Sequence, residues 1–274
     1  MRLTVAAVSW RLEQISGTSQ FERHFWRLIE ASGDSDVVVL PELPVLELLH
    51  LHPATLEQRE VPGALEGYAD LWEGLVLEAA KGRVVIGGSH VRGNRNVCLI
   101  AGPDLEPVVQ EKVKLTQWEK SEWGLEAGSG LRLPPGLPLG VLICYDSEFP
   151  EAGRALAEAG ALIQCVPSFT ETQAGFHRVR WSCQARSVEN QVFTVHASLV
   201  GDLGREPVPG TFGTSAIIAP PVEPVGHRPI LAETEPQKEG VAVAELDLEV
   251  LLGSRQAGDV RNWEDRAPNW KLLT

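Results

Sequence analysis

The chain has 274 residues, of which 43% are hydrophobic and 22% charged, with a formal net charge of −13. This composition is typical of a globular protein with a substantial core. The excess of acids argues against nucleic acid or an anionic membrane surface as a main partner, because both attract clustered Lys and Arg, so a small-molecule substrate fits better.

Neither a targeting signal nor a membrane segment is predicted. The stretch "MRLTVAAVSW" turns polar too early for a signal peptide, and no apolar run approaches the roughly 20 residues of a membrane helix. Cys98, Cys144, Cys165 and Cys183 show no CxxC or zinc-binding spacing, so we expect no disulfide framework and no metal site. These features predict a cytoplasmic protein with reduced thiols.

Apolar runs that predict strands alternate with amphipathic runs that predict helices, which is the pattern of an α/β layered domain. The predicted strands are 3–10, 36–43, a hairpin over 84–101, 107–115, 137–146, 161–169 and 191–198, and the segments 210–220 and 239–251 supply the last strands and a short helix. The predicted helices are 19–32, 63–82, 150–160 and 177–190. No linker or repeat interrupts this order, so residues 1–262 are interpreted as one domain and 263–274 as a C-terminal tail.

Three of the apolar runs lead into residues that can do chemistry. "VVVLPE" ends at Glu42, "VVQEKVK" contains Lys112, and "VLIC" ends at Cys144. Functional groups of open α/β sheets gather at the carboxyl ends of strands. Taken singly, each residue has an ordinary explanation, since a cysteine in an apolar strand is usually a small packing residue.

Together and in this order, the segments resemble the nitrilase superfamily of carbon–nitrogen hydrolases. The segments are "VVVLPEL", "EKVKLTQWEKSEWGLEAG" and "VLICYDSEFPE", with further matches at "VIGGS", Asn96, "QARSVENQ" and "GTSAIIAP". The resemblance implies a four-layer α-β-β-α sandwich and a Glu42–Lys112–Cys144 triad. It also implies a second active-site glutamate. Glu119 fits this position best, and Glu122 is the alternative.

The chemistry of amide cleavage gives each of these residues a role. A thiol with an ordinary pKa of about 8.5 is mostly protonated at neutral pH, so Glu42 would act as general base for Cys144. Lys112 and the backbone N–H of Tyr145 would stabilise the oxyanion. Glu119 would assist water activation, position the substrate carbonyl or hold Lys112, and the sequence does not decide among these roles. No cofactor is expected.

Two further residues bear on the substrate. Glu148 stands where many members of the superfamily carry Arg or a small residue, and it would either favour a cationic or amino-bearing substrate or cap the next helix. Arg178 would either pair a substrate carboxylate or form a surface salt bridge. Tyr145 and Asp146 resemble the amidase and carbamoylase branches, whereas the nitrile-cleaving branch has Trp-Glu after the nucleophile.

The sequence thus predicts hydrolysis of a small linear amide or N-carbamoyl compound through a Cys144 thioester. The alternatives are a nitrilase or acyl-transfer enzyme with the same triad, and a non-catalytic binding protein on this fold. The resemblance also implies a homodimer or higher homo-oligomer in which the tail crosses to the partner, with Trp263 and Trp270 as contact residues.

Overall fold

The computed structural model describes residues 1–208 and 210–267. The β-strands in this part of the chain are β1 (Arg2–Arg11), β2 (Val37–Val39), β3 (Val84–Ile86), β4 (His90–Arg92), β5 (Arg95–Gly102), β6 (Leu105–Glu111), β7 (Leu139–Val141), β8 (Ile163–Phe169), β9 (Phe193–Val200), β10 (Ala216–Ile218), β11 (Ile230–Glu233) and β12 (Gly240–Asp247). The α-helices are α1 (Thr18–Ala31), α2 (Val61–Glu66), α3 (Ala69–Ala79), α4 (Gln117–Ser121), α5 (Pro150–Glu158), α6 (Gln173–Asn190) and α7 (Leu248–Ala257). Short 3₁₀ helices cover Pro44–Leu51, Gln58–Glu60, Cys144–Glu148 and Glu264–Arg266.

The strands form two sheets that share β1. In the first sheet β1 pairs with β2 and β12, and β2 pairs with β3. Strand β5 pairs with β3, β4 and β6. The second sheet runs β7-β8-β9-β10-β11, and the end of β1 joins it where Trp10 and Arg11 pair with β9. Strands β1, β2 and β3 are parallel, as are β7, β8 and β9, so within each set the carboxyl ends meet at one edge.

The alternation of side chains along β1 separates two apolar cores. Val8 and Trp10 pack with α1 and α3 on one face of the first sheet. Val5 and Ala7 point to the other face, where they pack with the second sheet and with residues of α5, α6 and α7. The layers are therefore helix, sheet, sheet and helix, as predicted.

Several predicted elements differ from the observed ones in length. The helix predicted over 63–82 is two helices, α2 and α3, with the break at Gly67 and Tyr68. The strand predicted over 137–146 ends at Val141, before Cys144, because the chain turns there into a 3₁₀ helix. The strand predicted over 107–115 likewise ends at Glu111, one residue before Lys112.

The beginning of the predicted tail packs on the domain. The Trp263 ring lies under the guanidinium groups of Arg154, Arg255 and Arg266, at 5.7, 4.4 and 3.9 Å from the ring centre. Trp270 lies outside the described residues, so its predicted role in a dimer contact stays a prediction. Among the described helices, none combines the length and apolar character needed to cross a bilayer.

Candidate active site

Glu42 reaches the site through a tight backbone crossing just after β2. Leu43 has a left-handed backbone with φ 54° and donates its N–H to the Ser89 carbonyl at 3.1 Å, while Ser89 donates to the Pro41 carbonyl at 3.3 Å. Gly88 has φ +60°, and a β-carbon there would lie 2.0 Å from the Pro41 carbonyl oxygen. Only glycine fits such an approach. The crossing fixes the direction in which Glu42 leaves the sheet.

Lys112 directly follows β6 and is held on both sides of its peptide. Its N–H donates to the Asn96 carbonyl, and its carbonyl accepts from the Gly128 N–H, both at 2.8 Å. The next two residues are tied to the segment that begins at Cys144, because Asp146 accepts the N–H of Lys114 at 2.6 Å and that of Val113 at 3.3 Å. The Lys112 side chain is buried.

Cys144 begins the 3₁₀ helix that follows β7, and its own backbone is left-handed with φ 47°. Such a conformation costs a non-glycine residue about 1–2 kcal/mol. The turn is closed by the Ser147 hydroxyl, which donates to the Cys144 carbonyl at 2.6 Å. The Cys144 Sγ lies 3.4 Å from the Phe169 carbonyl oxygen at the end of β8. The sharp turn and this contact position the thiol at the edge of the sheet.

The polar side chains meet in one buried cluster around the Lys112 ammonium. Lys112 Nζ donates to Glu42 Oε1 at 2.7 Å and to the two Glu119 oxygens at 2.9 and 2.8 Å. Asn96 Nδ2 lies 3.0 Å from Glu42 Oε1 and 2.9 Å from Glu119 Oε1. Glu42 Oε2 accepts the Phe169 N–H at 2.9 Å, and Cys144 Sγ lies 3.4 Å from the carbonyl oxygen of the same Phe169. The structure thus brings Glu42, Lys112 and Cys144 together at one site, and their catalytic roles stay a prediction.

Glu119, rather than Glu122, is the second glutamate of the cluster. Glu119 is the third residue of α4, and its carboxylate bonds back to the Thr116 N–H at 2.8 Å in a capping box. Its Oε2 also accepts the Thr116 hydroxyl at 3.0 Å. Glu122 is exposed at the end of the same helix. The helix cap thus fixes the carboxylate that holds Lys112.

The electrostatics of the cluster keep Lys112 charged and Cys144 neutral at rest. Burial acts to lower the pKa of Lys112, but attraction to Glu119 and Glu42 outweighs it and raises that pKa well above its ordinary value. Burial, together with the charge of Glu42, raises the pKa of the Cys144 thiol well above its ordinary value. Burial also raises the pKa of Glu42, although Lys112 opposes this. A neutral thiol beside a carboxylate of raised pKa is suited to proton transfer.

Glu119 and Asp146 shift in opposite directions. Burial acts to raise the pKa of Glu119, but attraction to Lys112 outweighs it, and the pKa is lowered overall. Burial raises the pKa of Asp146 to about 6, against the hydrogen bonds from the Lys114 and Val113 N–H groups. Glu119 is therefore the stably charged partner of Lys112.

A cavity of about 200 Å³ opens over the cluster. Glu42, Lys112, Glu119, Cys144 and Tyr145 all line it. Its walls include the aromatic side chains Trp118, Trp123 and Phe169, together with residues of the segment 170–172. The arrangement can present a small carbonyl compound to the thiol.

Glu148 and Arg178 both line this cavity and also pair with each other, and their role in substrate binding stays a prediction. Arg178 Nε lies 3.3 Å from Glu148 Oε2. Glu148 is mostly buried, whereas the Arg178 side chain is 62% exposed. Each charge is thus partly neutralised by the other.

The sequence interpretation did not place Asn96, Asp146 or Glu171 among the site residues. Asn96 and Asp146 lie within matched motifs, but their contacts join segments that are far apart in the chain. Glu171 lines the mouth of the cavity, and burial and the charge of Glu206 raise its pKa. Its only sequence signal was its place just after a predicted strand.

A separate group, Glu13, His24 and Glu239, has ligand atoms close enough to hold a metal ion. Burial acts to lower the pKa of His24, but hydrogen bonds to Glu239 and Glu47 outweigh it and raise the pKa to about 9. Arg27 Nη2 lies 2.6 Å from Glu13 Oε1 and 2.9 Å from Glu239 Oε1. A protonated imidazole and a guanidinium therefore already satisfy these carboxylates.

Comparison with solved structures defines the class of fold. The chain superposes on Nit3 of Saccharomyces cerevisiae, described as a member of branch 10 of the nitrilase superfamily, with a TM-score of 0.72 at 22% identity over 93% of each chain. A carbon–nitrogen hydrolase from Helicobacter pylori superposes with a TM-score of 0.70 at 20% identity over 93% of this chain and 92% of the other. The architecture is the α/β nitrilase fold.

The sequence comparisons identify the family. Residues 12–256 match the carbon–nitrogen hydrolase family, and the chain belongs to it. The chain is 32% identical over 274 residues to the probable hydrolase YhcX of Bacillus subtilis, covering 96% of this chain and 53% of that protein. It thus spans about half the length of that relative. It is 30% identical over 234 residues to an (R)-stereoselective amidase of a Pseudomonas species, covering 83% of this chain and 79% of the amidase.

Proposed function

We propose that the chain hydrolyses the carbon–nitrogen bond of a small linear amide or N-carbamoyl compound, with Cys144 as nucleophile. The observation that carries the proposal is the buried cluster in which Glu42 contacts the Lys112 ammonium, beneath a cavity that Glu42, Lys112 and Cys144 all line. Homodimer formation and a cytoplasmic location stay predictions.

In the first half-reaction Glu42 takes the thiol proton as the Cys144 sulfur attacks the substrate carbonyl carbon. The carbonyl oxygen becomes an oxyanion, which the Lys112 ammonium and the backbone N–H of Tyr145 stabilise. A preorganised donor of this kind contributes about 3–4 kcal/mol. When the tetrahedral intermediate collapses, the carbon–nitrogen bond breaks and Glu42 returns the proton to the nitrogen, so ammonia or an amine leaves.

In the second half-reaction a water molecule hydrolyses the Cys144 thioester. Glu42, again a carboxylate, takes a proton from the water as its oxygen attacks the thioester carbon. Lys112 and the Tyr145 N–H stabilise the second oxyanion in the same place. Collapse breaks the carbon–sulfur bond, releases the acid and returns the proton to the Cys144 sulfur. The resting state is restored without a cofactor.

Among the three roles considered for Glu119, the contacts support holding Lys112. Both oxygens of Glu119 accept from Lys112, and the same oxygens also serve Asn96 and Thr116. A carboxylate with so many donors is a weak base. Within the described part of the chain, Glu42 Oε2 accepts one hydrogen bond, from the Phe169 N–H at 2.9 Å, so it is the better proton acceptor.

The size of the cavity and the nature of the relatives support the substrate class. About 200 Å³ is below the roughly 300–1,000 Å³ of pockets for drug-sized ligands, so the acyl chain is short. One relative is an amidase, and N-carbamoylputrescine amidase of Arabidopsis thaliana is 34% identical over 147 residues, covering 49% of this chain and 46% of that enzyme. Tyr145 and Asp146 after the nucleophile agree with these branches.

The test is a panel of short amides, N-carbamoyl amines and nitriles, with ammonia release as readout and Cys144→Ala as the comparison. We expect turnover of an amide or carbamoyl compound by the parent, an acyl adduct in its intact mass, and neither with Cys144→Ala. Turnover of nitriles alone would favour a nitrilase, and an acyl adduct resolved only by added amine would favour acyl transfer. Full activity in Cys144→Ala, or no adduct with any substrate, would refute the proposal.

A further inference from the structure

Asn96 occupies a central place in the buried cluster. Its side chain is fully buried, and its one amide nitrogen lies between two carboxylates, at 3.0 Å from Glu42 Oε1 and 2.9 Å from Glu119 Oε1. Its backbone carbonyl accepts the Lys112 N–H at 2.8 Å. Asn96 thus contacts the base, the second glutamate and the lysine through separate atoms.

The position follows from the hairpin that carries Asn96. Asn96 is the second residue of β5 and pairs with Val91 across the hairpin, so its place is set by the turn at Gly93 and Asn94, both of which have positive φ. The Asn94 carbonyl in turn accepts the Glu126 N–H at 2.9 Å. The side chain is therefore fixed by backbone pairing on both sides and has little freedom to leave the carboxylates.

The charges in the cluster explain why an amide donor is needed there. Two buried carboxylates lie against one buried ammonium, so one negative charge is not balanced by Lys112 alone. An Asn amide has two N–H donors, one for each carboxylate, and it adds no charge. Hydrogen bonds of this kind favour the ionised form of a carboxyl group and so oppose the effect of burial.

We infer that Asn96 is a positioning residue that keeps Glu42 ionised and aimed at Cys144. The titratable groups that face Glu42 are Lys112, Glu119 and the Cys144 thiol, and β8 contributes only the Phe169 N–H. Among these neighbours Lys112 and Phe169 also donate to Glu42, so Asn96 adjusts the base and does not by itself create it. The inference rests on the proposed role of Glu42 as general base.

A further feature agrees with a dedicated role. Among residues 1–208 and 210–267, no polar partner lies within hydrogen-bond distance of the buried Asn96 Oδ1. A buried amide oxygen without a partner destabilises the fold, so this arrangement costs stability in order to place the two N–H donors. The donors face only the two carboxylates, so the cluster is where the amide acts.

The experiment measures the pH dependence of Cys144 acylation by p-nitrophenyl acetate, followed as a burst of p-nitrophenol. This probe needs no knowledge of the natural substrate. The variants are Asn96→Leu, which removes both donors at similar volume, and Asn96→Ser, which keeps one hydroxyl donor. The matched control is Gln164→Leu, because Gln164 is also a fully buried amide but bonds to the Gly153 carbonyl away from the cluster.

We expect Asn96→Leu to lower the acylation rate at neutral pH by about 10- to 100-fold and to move the acidic limb of the profile upward by about one pH unit or more. Part of the rate should return at higher pH. Asn96→Ser should show a smaller shift in the same direction, and it decides the matter if Asn96→Leu does not fold. Gln164→Leu should change thermal stability without moving the limb.

An unmoved acidic limb in the folded Asn96 variants, whatever their rate, would overturn the inference and leave the proposed function intact. An equal shift in Gln164→Leu would also overturn it, because the effect would then be general to buried amides. A parent protein that gives no Cys144-dependent burst would refute the proposed function and this inference together.

Discussion

Lys112→Met is the most direct perturbation of the cluster, because it removes the ammonium that bonds to both Glu42 and Glu119. The ammonium makes contacts of 2.7, 2.9 and 2.8 Å to three carboxylate oxygens, and all three side chains are buried. Removing one partner of a buried ion pair costs about 3–5 kcal/mol. Glu42 and Glu119 keep their bonds to Asn96, Phe169 and Thr116, so we expect the lower end, about 3 kcal/mol.

The same change should raise the pKa of both carboxyl groups in the folded state. A carboxyl group whose folded pKa is raised binds protons more tightly when folded, so its stabilising effect is present at low pH and lost as pH rises. Lys112→Met should therefore be closer to the parent in stability at pH 5 than at pH 8. Catalysis should fall by about 100- to 1,000-fold, the typical loss for one oxyanion donor.

The assay is urea unfolding followed by tryptophan fluorescence at both pH values, with acylation of Cys144 measured in parallel. Lys114→Met is the matched control, because Lys114 is an exposed neighbour that lies 5.4 Å from the Phe149 ring and outside the cluster. Adding Glu119→Gln to Lys112→Met should recover stability but not activity. If Lys112→Met were as stable as the parent at pH 8, the electrostatic account of the cluster would be wrong.

Three other predictions follow from the surroundings of the cluster. Gly88→Ala should lose both stability and activity, because the added β-carbon would lie 2.0 Å from the Pro41 carbonyl oxygen. The control is Gly74→Ala, whose β-carbon would have no atom within 4 Å, and it should be neutral or stabilising in thermal unfolding. The pKa of Asp146 is about 6 in the folded protein instead of 3.8, so its contribution to stability is full below pH 3.8 and is lost as pH rises through 6. In urea unfolding, the stability of the parent relative to Asp146→Asn should therefore fall across that pH window. A difference that stays constant with pH would contradict this. Arg178→Ala should leave the melting temperature nearly unchanged, but it frees Glu148 from an exposed ion pair worth about 1 kcal/mol. The kcat/KM for an ω-amino amide, divided by the kcat/KM for its uncharged analogue, should therefore rise by about fivefold. An unchanged ratio would show that Glu148 does not contact the substrate.

The sequence alone predicted that three residues of the site would lie together. Glu42, Lys112 and Cys144 each follow an apolar run, and the layered fold follows from the alternation of strand and helix patterns. The sequence could not show that "VLIC" leaves its strand at Val141, because the left-handed turn at Cys144 is held by contacts to Ser147 and Phe169 rather than by turn-forming residues.

The contacts between distant segments were also beyond the sequence. Asn96 and Glu42 are 54 positions apart, and only the sheet pairing brings their side chains together. Arg178 and Glu148 were each given a separate role toward the substrate, but their mutual ion pair depends on how α6 packs against the nucleophile turn. Spacing along a chain carries no information about such encounters.

The left-handed backbone at Cys144 also constrains how this protein can be made more robust. Glycine is the residue that this backbone prefers, so a selection for heat resistance alone would favour replacing the proposed nucleophile itself. A laboratory evolution experiment that scores only survival of the fold would therefore be drawn toward an inert protein at this position. If the proposed function holds, selection for stability and selection for turnover oppose each other at Cys144, and both must be applied at once to improve the protein.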